Sequence, residues 1–296
     1  MDIEYLKSYI YQDDIVKVLI HLEHIKNTLS EEECRKIYAD LLSSAIIRGK
    51  ELIALRLVEM GADVDMVVMS SGQTCVHLAS YWEASADLGL AIVTKSKELD
   101  AVDEDGNTAL HLACDTENEE LGLLLIDNGA DVYKVNKDGN TPLILACLGC
   151  QPRVIERLIA SNVDINAKNN IGATALCMAT TRRDLSLMSF LLAEGATIDI
   201  QDDKGWSPLQ SACLLECVAS VRLLLEHGAD PNMHSDLVDP PLHLVCVYPT
   251  TEIAEALLSY GANAYLRNSK NVGVYDKTCS VAFEDLIRGK NLKGGS

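Results

Sequence analysis

The chain is predicted to fold as an all-α repeat solenoid, and three observations predict it. The same local phrase restarts at Thr74, Thr108, Thr141, Thr174, Ser207 and Pro240, the first interval being 34 residues and the next four 33. Self-similarity at a fixed spacing of this size marks a stacked array in which each unit contacts its neighbours. Each phrase is followed by a second apolar run and a small turn, so every unit offers two short helices that one stripe of core could not bury alone. The composition agrees: 48% of the residues are hydrophobic but only 5% are aromatic, with two Trp and two Phe, the profile of many small aliphatic layers.

The elements follow in order. Residues 1–39 read as a helical N-terminal cap, in which Ile15, Val16, Val18, Leu19 and Leu22 share an apolar face over 3–29 and Ser30-Glu31-Glu32-Glu33 has the form of a capping box. The repeats occupy 40–272, with units starting near 40, 74, 108, 141, 174, 207 and 240. The first is degraded and recognised by Met60-Gly61-Ala62-Asp63. In the unit from Thr108 the first helix buries Leu110, Leu112, Ala113 and Cys114, and the second carries Leu121, Leu123, Leu124, Leu125 and Ile126. Gly129 then ends the second helix, because glycine adopts the left-handed conformation without steric cost. Gly61, Gly195, Gly228 and Gly261 hold equivalent positions, and Asn162 takes the place once, being the other residue that tolerates this backbone. A hairpin such as Asp202-Asp203-Lys204-Gly205-Trp206 leads to the next Thr or Ser, whose hydroxyl can cap a helix, and Pro142 and Pro208 fit its first turn.

Two departures are expected to alter the backbone. Before Thr108 the turn reads Lys95-Ser96-Lys97 with no glycine, Ser96 falling where glycine is expected, so the second helix there should end differently. Before Pro240 the hairpin Asp236-Leu237-Val238-Asp239 lacks its glycine, so its tip should be irregular. Residues 273–292 read as a C-terminal capping repeat whose closing helix spans Ser280 to Ile287. Lys293-Gly294-Gly295-Ser296 reads as a linker or truncation scar, with natural sequence expected beyond it.

The phrases Thr-Ala-Leu-His-Leu-Ala-Cys from Thr108, Thr-Pro-Leu-Ile-Leu-Ala-Cys from Thr141 and Ser-Pro-Leu-Gln-Ser-Ala-Cys from Ser207 resemble the ankyrin repeat, as does the Gly-Ala-Asp-like turn. The resemblance covers most of the chain and implies seven to eight units including degenerate caps, each a helix pair with a short β-hairpin. It implies that His77, His111 and His243, at the fourth position, are structural hydrogen bonders. It also implies that Cys114, Cys147, Cys213 and Cys246, at the seventh, are small buried packers.

Several classes are excluded or disfavoured. A formal charge of −19 opposes nucleic-acid binding, which needs a basic surface to displace counterions. No stretch approaches a membrane span, and the acidic start with Asp2 and Glu4 is unlike a signal peptide. The chain has ten cysteines, four of them at the packing position, which fits a reducing compartment, cytoplasmic or nuclear, and Cys147/Cys150 and Cys213/Cys217 have no second ligand pair to complete a metal site. No cofactor motif, phosphate loop or nucleophile motif occurs, and no enzyme activity is expected.

What remains is a binding surface, and the resemblance implies that it is a concave groove formed by the hairpin tips and the exposed side of the first helices. Candidate partner-binding residues are Tyr81, Trp82, Tyr133, Leu148, Arg182, Arg183, Trp206, Leu214, Leu215, Val247 and Tyr248. Charged tips, including Asp103, Glu104, Asp105, Lys134, Lys137, Asp138, Asp202, Asp203 and Lys204, are secondary candidates. The expected function is that of a non-catalytic intracellular adaptor or inhibitor, monomeric when unbound, gripping a protein partner that the acidic surface would prefer basic. The alternative is a substrate-receptor subunit of a larger enzyme complex such as a ubiquitin ligase. Asn166 and Asn232, each with an acidic residue two before and a Leu eight before, match the pattern of the family's asparaginyl hydroxylase.

Overall fold

The computed structural model describes residues 3–116, 118–246, 251–277 and 285–287, and it divides into two compact units, 1–163 and 164–296. Extended pairing among the described residues is limited to the isolated bridges Val67–Thr74 and Arg267–Gly273. None of the described helices is long and apolar enough to cross a membrane.

The first unit begins with α1 (Ile3–Tyr11) and α2 (Ile15–Thr28), separated by Asp13 in the left-handed region. Ser30 starts α3 (Glu31–Ile47) with a complete capping box: its hydroxyl accepts from the Glu33 N–H and the Glu33 carboxylate accepts from the Ser30 N–H. This helix pairs with α4 (Glu51–Glu59), so the repeat boundary expected at residue 40 falls inside α3. Then come three helix pairs in register, α5 (Cys75–Tyr81) with α6 (Ala86–Val93), α7 (Ala109–Asp115) with α8 (Glu119–Asp127), and α9 (Pro142–Leu148) with α10 (Pro152–Ala160). First helices stack on first helices and second on second. The second unit repeats the scheme with α11 (Ala175–Thr181) and α12 (Leu185–Ala193), α13 (Pro208–Leu214) and α14 (Val218–Glu226), and α15 (Pro241–Val245) and α16 (Thr251–Ser259). Residues 274–276 form a 3₁₀ turn, and 285–287 are helical within the expected closing helix, the rest of which lies outside the described residues, as does 293–296.

The phrase that identifies each repeat is buried almost whole. Leu110, Ala113 and Cys114 are fully covered, as are Leu143, Ala146 and Cys147, and each such Leu contributes roughly 1.5–3 kcal/mol of transfer free energy. Burial pushes the thiols of Cys114 and Cys213 well above their ordinary range, so they stay protonated and inert. The start residues cap as expected: Thr108, Thr141, Thr174 and Ser207 each accept a hydrogen bond from the N–H three residues on.

At the other end of each pair, Gly129, Gly195, Gly228 and Gly261 stand at φ 91° to 93° and Asn162 at 59°, as their sequence positions predict. Lys95, and not Ser96 as the sequence suggests, takes the corresponding place after α6, because the helix ends at Val93 with Thr94 as its cap, and it has no positive φ. The Ser96 N–H bonds Ile92 O four back, where the Ala130 N–H reaches Leu125 O five back. The turn is instead held from the preceding repeat, by Asp65 accepting from Ser96 Oγ at 2.5 Å and Lys97 N at 2.9 Å.

That last contact belongs to a ladder between repeats. Asp100 accepts from Asp131 N at 2.8 Å, Asn166 from Thr197 N at 2.7 Å, Asp199 from Asp230 N at 3.2 Å and Asn232 from Asn263 N at 2.7 Å. The hairpins form a second ladder, in which the Glu104 N–H donates to Ser71 O, Lys137 to Asp105 O and Asp203 to Ile171 O. Gly172 shows why the hairpins need glycine: its φ is +75°, and a side chain there would stand 2.5 Å from the Asp203 nitrogen. The hairpin before Pro240 is irregular as anticipated, closing Ser235 N on Val238 O, and it projects Leu237 into solvent.

Candidate protein-binding surface

The fourth-position histidines are built into the backbone. His111 Nδ1 accepts from the Thr108 N–H at 3.3 Å and pairs with its hydroxyl at 2.8 Å, while Nε2 faces Asn140 O at 3.2 Å. A carbonyl can only accept, so Nε2 carries the proton. His77 does the same between Thr74 and Asn107 O, and burial holds both imidazoles below their ordinary pKa. In the repeat from Ser207 a glutamine does this work, with Gln210 Oε1 accepting from Ser207 N and Nε2 donating to Met233 O and Asp239 O.

Several tip acids turn out to build the hairpins rather than decorate them. Asp103 is buried and accepts from the N–H groups of Asp105 and Asn107, and Asp202 from those of Lys204 and Trp206. Asn136, Asn169 and Asn268 occupy the same place and accept the same pair of bonds. Of the charged tips, Glu104, Asp105, Asp138, Asp203 and Lys204 face solvent.

The sequence-predicted partner residues separate into groups. In the first unit Tyr81 and Trp82 lie at the end of α5, 54% and 48% exposed, with ring centroids 5.6 Å apart in an edge-to-face arrangement at 75°. Leu148 is half-buried, and Gly149 beside it is required because a side chain there would meet Cys114 O at 2.4 Å. Tyr133 is exposed along its ring, yet its hydroxyl donates to Ser161 O at 2.7 Å and ties its repeat to the next helix end.

In the second unit Leu214 is 44% exposed and Leu215 half-buried. Arg182 is exposed, whereas the Arg183 guanidinium donates to Leu215 O at 2.9 Å and so closes the inter-helix turn. Trp206 is half-buried. Val247 and Tyr248 lie outside the described residues. Tyr81, Trp82, Arg182 and Leu214 therefore expose surface that the fold does not use.

Sequence reasoning passed over one column in the first unit. Val67, Val102 and Val135 stand two residues after Asp65, Asp100 and Tyr133 and are all more than half exposed. The corresponding residues of the second unit are Lys168, Gln201, His234 and Arg267. Counting two residues on from Asp65, Asp100, Tyr133, Asn166, Asp199 and Asn232 would have shown valine in one set and polar residues in the other.

A family model described as ankyrin repeats (3 copies) matches residues 85–169 and 151–235. Among solved structures, the ankyrin repeat domain of human ASB11 is similar at 26% identity and a TM-score of 0.63, with 76% of this chain and 99% of that one covered. The ankyrin repeat domain of Bcl-3, described as a unique member of the IkappaB protein family, is similar at 26% identity and a TM-score of 0.54, covering 84% of this chain and 97% of its own. No curated protein matches the chain significantly.

Proposed function

Because the chain belongs to the ankyrin-repeat family, whose domains generally serve as interaction modules, we propose that it is a non-catalytic intracellular adaptor or inhibitor. It holds a protein partner on the inner edge of its first helices and on its hairpin tips. One observation carries this reading: Tyr81, Trp82 and Leu214 are large apolar side chains left about half exposed where α5 and α13 end, Tyr81 and Leu214 as the last helical residues and Trp82 as a cap. Side chains of this kind, above all Trp, Tyr and Arg, dominate binding energy at protein interfaces. Buried reduced thiols suit the cytoplasm or nucleus, and a surface with net charge −19 favours a basic partner.

The test is affinity capture from cytosolic and nuclear extracts with the wild-type chain beside Trp82→Ala and Leu214→Asp variants. Proteins held by the wild type and lost with either variant are expected. Proteins that bind all three equally would move the interface elsewhere. Capture of ubiquitin-ligase subunits would favour the substrate-receptor alternative.

Asn166 and Asn232 remain proposed hydroxylation sites. Both side chains accept an inter-repeat hydrogen bond, so an added hydroxyl would sit on a bracing residue. Peptides from both that lack a one-oxygen mass shift after co-expression with the hydroxylase would remove the proposal.

A further inference from the structure

We propose that Tyr81, Trp82, Glu83 and Asp115 form a receptor for an arginine side chain presented by the partner. The inference rests on the reading of the inner edge as the partner surface and specifies the chemistry that part of it recognises.

The rings are not there for folding. Trp82 is the C-cap of α5 and its N–H bonds Leu78 O, a role that Thr116, Gly149 and Leu215 fill after α7, α9 and α13. The core face of α5 is complete with Cys75, Val76, Leu78 and Ala79. Two adjoining rings set edge to face, each about half open, present an accessible π surface beside the turn.

Carboxylates stand next to them. Glu83 follows Trp82 at φ +50°, exposed. Asp115 is brought alongside from the next repeat, since Thr116 Oγ1 donates to Ser80 O at 3.2 Å and Asn118 Nδ2 to Ala84 O at 3.4 Å. Neither carboxylate makes a hydrogen bond or ion pair with a described residue, and both face solvent. Leu148 occupies the equivalent place one repeat further on. Aromatic faces and carboxylates unpaired among the described residues together match one kind of group, a long apolar stem ending in a cation. Arginine suits it better than lysine, because the planar guanidinium stacks on rings while bonding a carboxylate.

The surrounding charge selects the same partner. Residues 57–94 and 98–133 contain no Lys or Arg at all but hold sixteen Asp and Glu. Nothing within these segments can neutralise Glu83 or Asp115, and an incoming cation would be steered to them.

The chain has two tryptophans, so the site carries its own reporter. The indole N–H signals of the wild-type protein would be followed by NMR during titration with a nona-arginine peptide, and assigned with a Trp206→Phe variant. Saturable movement of the Trp82 signal is expected, weakened at least about tenfold in Glu83→Gln/Asp115→Asn and left alone in the charge-matched control Glu156→Gln/Glu194→Gln. Nona-lysine should bind more weakly. A Trp82 signal that does not move, or affinity lost equally in the control pair, would overturn the proposal, as would equal binding of nona-lysine. If the Trp82 signal stays still while Trp82→Ala loses captured partners, the interaction surface stands and only its arginine chemistry is wrong.

Discussion

In the repeat that begins at Thr108, both ring nitrogens of His111 have partners, whereas in the repeat that begins at Pro240, His243 keeps only the outer one, Nε2 to Val272 O at 3.1 Å. Its Nδ1 is buried without a partner among the described residues, because proline supplies neither a hydroxyl nor an N–H. The same histidine at the same position is thus a complete brace in one repeat and half of one in the other. The difference lies three residues upstream, in the cap rather than in the ring.

The comparison is broken most readily by removing the rings. His111→Ala orphans the Thr108 N–H and Asn140 O and is expected to cost about 2–4 kcal/mol, whereas His243→Ala abandons one carbonyl and should cost about 1–2 kcal/mol. Urea denaturation of the two variants measures this, and equal losses would mean that Thr108 adds nothing to its histidine.

A smaller effect sharpens it. Pro240→Thr restores the cap and gives His243 Nδ1 its donor, a gain of about 0.5–2 kcal/mol set against about 0.4–1 kcal/mol from the freer unfolded chain. The variant should therefore match or slightly exceed the wild type in thermal midpoint and clearly exceed Pro240→Ala. A Thr variant no more stable than the Ala variant would show that the hydroxyl does not reach the ring.

The smallest effect concerns pH. Burial lowers the pKa of His77 and His111 in the folded state, so the unfolded chain binds more protons below its own value near about 6.5. Their contribution is complete above that pH and declines as pH falls toward the folded-state values. A His77→Gln/His111→Gln double variant, copying the arrangement of Gln210, should lose less stability between about pH 7.5 and about pH 5.5 than the wild type. Identical slopes would place the acid sensitivity elsewhere.

The fold was legible wherever a residue type has one physical use. Gly129, Asn162 and the hydroxyl starts could be read because few residues tolerate a left-handed turn or satisfy a free N–H. The departures at Ser96 and Leu237 were visible as missing glycines, although the rescue by Asp65 was not, since that bond joins residues more than thirty apart. The binding surface was less legible. Asp103 and Asp202 looked like solvated tip charges, and Arg183 like a recognition residue, because the letter does not tell whether a polar side chain turns back to its own main chain. Nor does the letter tell that Trp206 is half-buried. Tyr81 and Trp82 are left exposed at the end of α5, where the cap filled by Trp82 makes no demand on side-chain type.

The ladder of Asp and Asn side chains bears on how such a gene can lengthen or shorten. Each rung takes its acceptor from one copy and its N–H from the next, and any residue but proline offers the N–H. From Asn166 through Asp199 to Asn232 the acceptors recur every 33 residues, so an in-frame duplication or loss of 33 codons there leaves every junction with an acceptor facing a donor. Tyr133 interrupts this equivalence, reaching Ser161 O through a phenol that fits only its own neighbour. Recombination that copies the stretch carrying Asn166 and Asp199 should yield folded descendants more often than recombination that joins Tyr133 to a foreign copy.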